Sequence, residues 1–237
     1  MNYICGMNGK SAPCCFCVLN FLKNFSMKNY FKKLLIVPVL LMLFGMVSCA
    51  GSLQTGDIVF VGLRGDNGIL WIHTAIVDMM DGKPMVIDAT MFHGVDRHPL
   101  DTLINDFRRH DGSYPEFKVM RLKDASDAKE FVDNAKQFIG EEYDTELVPG
   151  NGRHYCTELV QDSYIREGNF IFPLETLDFN EPDGTVNRYW QKLFNTLGTE
   201  VPNGLPGTLP NPMIESDFLE PVDLDIFDFS AIHPISN

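Results

Sequence analysis

The run Tyr155-Cys156-Thr157-Glu158-Leu159-Val160 puts a thiol where a loop turns into a helix. Pro149-Gly150-Asn151-Gly152 precedes it, and Leu159, Val160, Ser163 and Tyr164 follow at apolar-periodic spacing. A nucleophilic cysteine must be a thiolate, and a free thiol with a pKa near about 8.5 mostly is not. A helix start lowers that value, and its backbone N–H groups suit an oxyanion. The remaining cysteines (Cys5, Cys14, Cys15, Cys17 and Cys49) all lie at or before position 49. If those are leader, the folded part holds one thiol and no internal disulfide. Cys156 is then either an inert buried filler or a group kept for chemistry.

The leader reading rests on the stretch from Met27. Lys28, Lys32 and Lys33 form a basic start, and Leu34 to Val47 is an apolar core interrupted by Pro38 and Gly45. That core is shorter than the roughly 20 residues a bilayer span needs. Met46-Val47-Ser48-Cys49 resembles a bacterial lipoprotein box, which implies lipidation of Cys49 and an exported, membrane-anchored protein; a soluble secreted protein is the alternative. Residues 1–26 lack signal character and read as a mis-assigned extension before a true start at Met27. Their Cys14-Cys15-Phe16-Cys17 run has no second ligand cluster at zinc-like spacing. The expected organisation is therefore extension 1–26, signal 27–48, one domain over 49–200, and an extended segment with a loose tail over 201–237.

The chain carries 19 basic and 32 acidic residues, a formal charge of −13. Residues 1–48 hold five lysines and no acid, which leaves 14 basic against 32 acidic, or −18, from Cys49 onward. Such a surface repels phosphate backbones and excludes nucleic acid as a partner.

Upstream of the cysteine the pattern changes to strands. Gly56-Asp57-Ile58-Val59-Phe60-Val61 reads as a turn feeding a buried strand, and Gly62 to Gly68 as a Gly/Asp/Asn-rich loop. Trp71 to Val77 and Met85 to Ala89 are the arms of a hairpin turning at Asp81-Gly82. With that turn, paired positions sum to 163. Asp88 then lies opposite Ala75, and His73 sits diagonally on the same face, within reach of the carboxylate. A one-residue slip would put the two on opposite faces. Phe117 to Leu122 alternates as another strand, and helices are expected over Ser126–Ile139, from Cys156, and over Val186–Leu197. Together these predict an α+β domain, a small antiparallel sheet or barrel packed on helices.

Several of these runs, taken in order, resemble one family. They are Gly56-Asp57-Ile58; His73-Thr74-Ala75-Ile76-Val77; Ile87-Asp88-Ala89; Gly94-Val95; Arg121-Leu122; Gly140-Glu141-Glu142-Tyr143-Asp144; and Tyr155-Cys156-Thr157-Glu158-Leu159-Val160. The resemblance is to the circularly permuted, NlpC-type papain-like cysteine peptidases and amidases of the YiiX/YebB-like group. In ordinary papain-like enzymes the cysteine precedes the histidine, and here the histidine comes first. The resemblance implies Cys156 as nucleophile, His73 as general base and acid, and an acid at Asp88, where several relatives carry Glu. Tyr143 and Tyr155 become candidate oxyanion or substrate contacts, and no metal or organic cofactor is called for. Amide bonds of cell-wall peptides are the first substrate class implied. The related lecithin:retinol acyltransferases imply a second, lipid acyl groups passed through the same thioester. A module that keeps the cleft only to bind an amino acid or peptide is the third reading.

Other residues have plainer readings. His154 is too near Cys156 along the chain to align easily with it. His93, Asp96 and His98 have a spacing open to a metal, but beside a Gly-Val turn they read as a solvated loop. Glu130 and Asp133 read as the wet face of a helix.

Overall fold

The structure, a computed structural model, describes residues 51–65 and 68–227. The expected extension, the export signal, Cys49 and residues 228–237 of the tail lie outside the described residues.

Four strands come first: β1 (Ile58–Gly65), β2 (Gly68–Met80), β3 (Lys83–Thr90) and β4 (Gly94–Pro99). Asp81 and Gly82 both take positive φ, 50° and 76°, the geometry of a two-residue hairpin turn that matches strand twist. β2 and β3 accordingly pair Ile76 with Ile87 and Val77 with Val86, the register that turn predicts. Then follow α1 (Leu100–Asp106), β5 (Glu116–Leu122), α2 (Ala128–Gln137) and α3 (Cys156–Ser163). The second half holds the short strands β6 (Ile165–Arg166), β7 (Asn169–Phe170) and β8 (Glu175–Thr176), then α4 (Arg188–Leu197), β9 (Pro206–Gly207), α5 (Pro210–Ile214) and β10 (Leu219–Pro221).

Six strands form one antiparallel sheet in the order β10-β5-β1-β2-β3-β4. The fold is α+β as expected, but the sheet is open rather than a barrel. Its β4 edge is taken by a loop instead of a closing strand: Val95 N–H donates to Glu141 O at 2.9 Å, and Gly140 N–H to Val95 O at 2.8 Å. Gly94 makes that docking possible, because a Cβ there would collide with the Glu141 carbonyl, and its φ of +68° suits glycine. At the far edge, β10 pairs Leu219 with Leu122, so part of the segment expected as extended packing adds to the sheet, and α5 is helical.

Both faces of the sheet are covered, which is why Ile58-Val59-Phe60-Val61 is apolar without alternation. Ile58, Phe60, Ile76 and Ile87 pack under α2 and α3, against Phe131, Val132, Leu159 and Tyr164. Val59, Ala75, Val77 and Val86 pack against Leu100, Leu103 and Ile104 of α1. A third cluster, with Leu147, Tyr155, Phe179, Trp190 and Phe194, lies under α4 and the long connections.

The stretch expected as a loop over Gly62–Gly68 instead extends both arms of the β1–β2 hairpin. Val61 pairs with His73 but Gly62 with Trp71, so Ile72 is an extra residue, a bulge. Gly62 is required there because a side chain would strike Ile69 and Trp71. The bulge lets the consecutive residues Ile72 and His73 both line one cavity.

Candidate active site

Asp88 is the hub of the site. Its Oδ2 meets His73 Nε2 at 2.7 Å, and its Oδ1 meets His98 Nε2 at 2.9 Å. The strand register explains both contacts. Asp88 pairs with Asp96 on β4, and His98 is two residues further along, on the same face. His73 stands in the mirror-image relation on β2. One carboxylate thus bridges two diagonal imidazoles, one from each neighbouring strand. The aspartate side chain is long enough to reach both rings within hydrogen-bonding distance. Phe107, the residue that caps the C-terminal end of α1, packs on His73 with ring centroids 5.0 Å apart.

Because His73 Nε2 is committed to Asp88, Nδ1 is the ring nitrogen left for the Cys156 sulfur, which lines the same cavity and whose charge couples to the ring. Cys156 is the first residue of α3. Tyr155 caps the helix with extended backbone and no side-chain bond, so the first-turn N–H groups keep no side-chain partner there. The thiol, the imidazole and the carboxylate expected from the sequence are therefore brought together in one buried cluster: His73 is 7% exposed, Asp88 1% and Cys156 7%.

The electrostatics follow from that burial and pairing. Burial pushes the Cys156 thiol up, but the neighbouring His73 charge outweighs it, and the net shift is downward. Burial disfavours His73 as a cation, yet the thiolate and Asp88 more than compensate, and its pKa rises to about 10. Burial raises Asp88, but the bonds from His73 and His98 bring it down to about 2. His98 is raised, desolvation being overcome by Asp88. All four shifts favour a thiolate–imidazolium pair braced by an ionised carboxylate.

The two tyrosines differ in what they are free to do. Tyr143 lines the cavity beside the sulfur, and its hydroxyl has no hydrogen-bond partner among the described residues. Burial and the neighbouring thiolate push its pKa well up, so it stays a neutral donor. Tyr155 has its hydroxyl engaged by Thr208, whose N–H donates to it at 2.9 Å. Thr157 adds a bond to Thr208 O at 2.9 Å, and the two tie the helix start to the chain after β9. Tyr189 of α4, which the sequence reading did not single out, also lines the cavity.

Most other motif residues are structural. Arg121 grips Asp57 with two bonds of 2.6 and 2.8 Å, which joins β5 to the turn before β1. Asp144 accepts from the N–H groups of Glu146 and Val148, shaping the loop that leads to Cys156. Glu158 accepts from Gly150 N–H at 3.1 Å, and its burial pushes its pKa to about 7. His154 is held between Glu141 and Asp162 at 2.7 and 3.2 Å, against the Phe138 ring. His93 stays exposed, at the cavity rim. His98 is the residue that sequence reasoning misplaced: it belongs to a strand. The diagonal rule that picked out His73 finds it once β4 is paired with β3.

A thiol at a helix start, an imidazole from a preceding strand and an open antiparallel sheet define a permuted papain-like architecture. Residues 52–223 match the permuted papain-like amidase enzymes of the YaeF/YiiX, C92 family, and the chain belongs to that family, a group of cysteine peptidase/amidase-type enzymes. Among solved structures it is similar to one described as the metalloprotein yiiX from Escherichia coli O157:H7. The two share 22% identity and a TM-score of 0.53, over 73% of this chain and 97% of that one. A search of curated proteins finds no match. The neighbour's description raises the question of a metal here. Among the described residues no group of three or more His, Cys, Asp or Glu side chains is placed to hold one. The single carboxylate between His73 and His98 is occupied by both rings.

Proposed function

We propose that the protein is an exported cysteine hydrolase that cleaves amide bonds through an acyl-thioester on Cys156. The observation that carries this is a sulfur at a helix start, in one cavity with an imidazole whose Nε2 rests on a buried carboxylate. The Cys156 thiolate attacks the amide carbonyl carbon. The resulting oxyanion is held by the Cys156 backbone N–H and the Tyr143 hydroxyl. The His73 imidazolium gives its proton to the departing nitrogen as the C–N bond breaks, leaving the acyl group on sulfur. His73, now neutral, takes a proton from water as that water attacks the thioester, and the acid leaves with the thiolate restored. Asp88 keeps Nε2 protonated, so that Nδ1 faces the sulfur as acceptor, and His98 steadies Asp88.

Export and an anchor at Cys49 complete the proposal, and the lipoprotein-like box supports them. Metabolic labelling with an alkyne fatty acid is expected to mark the wild type and not Cys49→Ser; equal labelling removes the anchor.

The chemistry is tested by mass spectrometry of acid-quenched turnover on acyl p-nitroanilides. An acyl adduct on Cys156, absent from Cys156→Ser and depleted with time, is expected. Product release with no adduct, or at an unchanged rate in Cys156→Ser, would contradict it.

A further inference from the structure

Gly51, two residues after Cys49, is already pinned to the domain. Its N–H donates to Asp223 O at 2.7 Å, and it lies so close to Val222 that a Cβ would strike that side chain. Val222 N–H in turn donates to Val119 O of β5 at 3.0 Å, and Leu53 and Ile226 are buried in the cluster packed on α1. Beside this edge the surface is aromatic. Tyr114 and Phe227, 37% and 42% exposed, lie with ring centroids 5.0 Å apart, and Phe227 meets half-buried Phe117 edge-on at 5.7 Å. The rings stand on a closed connection between α1 and β5. Arg109 N–H donates to Ser113 O at 2.8 Å and Gly112 N–H to Arg109 O at 2.9 Å. The Arg108 guanidinium bonds Gly112 O at 3.2 Å and lies 5.7 Å from the Tyr114 ring centre.

We infer that the face formed by Tyr114, Phe117 and Phe227 docks on the lipid bilayer interface, so that the anchored domain lies in one orientation. The inference rests on the proposed lipid at Cys49 and adds which face meets the membrane. Two residues span at most about 7 Å, so a lipid on Cys49 holds the Val222–Asp223 edge that close to the headgroups. Four residues separate Asp223 from Phe227, a further span of at most about 14 Å. The rings are therefore kept at high effective concentration next to the bilayer. Half-exposed aromatic rings beside a cation are the side chains that collect at a membrane–water interface, and rings already held in place lose little freedom on docking. The acidic excess from Cys49 onward opposes an anionic leaflet, and exposed Asp223 and Asp225 stand nearby. The attraction is therefore carried by the rings and not by charge, and it survives salt. The connection that presents Tyr114 starts at Phe107, which packs on His73 and lines the cavity beside Cys156. Docking through it sets how the catalytic cleft faces the membrane.

The test is quenching of added tryptophan by chain-brominated lipids, on the full chain in phosphatidylethanolamine/phosphatidylglycerol vesicles, with the wild-type emission subtracted. Tyr114→Trp and Phe227→Trp are compared with Phe170→Trp, an exposed position on β7 whose neighbour Ile171 packs on the α3 side of the sheet. The first two are expected to lose at least about half of the added emission, and Phe170→Trp less than about a tenth. Equal quenching at all three positions, or none, overturns the docking face. Raising salt from about 0.1 M to about 0.5 M is expected to change the quenching by less than about twofold; a larger loss assigns the attraction to charge and overturns the inference. Cross-linking of two copies through this face, abolished by Phe227→Ser, gives the rings to a second copy and also overturns it. Mass spectrometry of Cys49 on the same samples separates this reading from the anchor. A lipid on Cys49 with both rings unquenched keeps the anchor and overturns the docking. No lipid on Cys49, with Tyr114→Trp and Phe227→Trp quenched as vesicles are added and Phe170→Trp not, keeps the docking and overturns the anchor.

Discussion

Asp88→Asn is the most informative single change, because one buried carboxylate serves two imidazoles. The amide has the same shape but replaces one acceptor oxygen with a donor, so only one of the two imidazoles can go on donating to it. If its oxygen turns to His73, the tautomer is kept and only the charge is lost. A hydrogen bond to a charged partner is worth about 1.5–3 kcal/mol, which is roughly 10- to 150-fold in kcat/KM. If its NH2 turns to His73 instead, Nε2 becomes the acceptor and Nδ1 carries the proton. The sulfur then faces a donor that cannot take its proton, and losses reach about 10⁴-fold, as for the wrong tautomer in serine enzymes. The wild-type contacts of 2.7 Å to His73 and 2.9 Å to His98 give the shorter bond to His73. The assay is kcat/KM on an acyl p-nitroanilide, with melting temperature recorded on the same sample to separate activity from folding. A change in kcat/KM below about threefold, in a variant that folds normally, would refute the role given to Asp88.

Further consequences follow from the same geometry. The pH profile of kcat/KM should be bell-shaped. It rises as the Cys156 thiol ionises, below the ordinary thiol range, and falls as pH climbs through about 10, where His73 loses the proton that forms the ion pair. A falling limb near the ordinary histidine value of about 6.5 would contradict it. His98→Ala should lower kcat by roughly tenfold with KM little changed, because His98 touches Asp88 and not the substrate; His98→Gln, which keeps a donor, should recover part of the loss. Steady-state kinetics with both variants decide this, and a pure KM effect goes against it. Gly94→Ala should cost at least about 2 kcal/mol of stability in urea unfolding, since the added methyl meets the Glu141 carbonyl at a residue with φ of +68°. A cost under about 0.5 kcal/mol would mean the β4 edge is not held by that loop.

Local chemistry made the β2–β3 hairpin legible in the sequence. Asp81-Gly82 dictates a two-residue turn, the turn dictates a register summing to 163, and the register puts His73 diagonal to Asp88. The start of α3 was legible for a similar reason, a glycine-rich loop running into apolar periodicity. His98 was not, because Gly94 and His93 suggested a loop, and only pairing with β3 shows that residues 94–99 form a strand. The bulge at Ile72 was likewise hidden, since it depends on Gly62 meeting Trp71 across two strands. The edge strand β10 and the α4 wall of the cavity depend on contacts distant along the chain. Leu219 reaches Leu122, and Trp190 reaches the cavity beside Cys156, with no short-range pattern announcing either. The open sheet follows from the Val95–Glu141 bonds, another long-range pairing.

The central claim is that His73 makes Cys156 a thiolate at neutral pH. The direct measurement is the rate of iodoacetamide alkylation at Cys156 against pH, read by peptide mass spectrometry so that other thiols do not interfere, in the wild type and in His73→Ala. The wild type should show its inflection well below the usual thiol value of about 8.5, and His73→Ala should move it to that value or above. Superimposable curves would contradict the account.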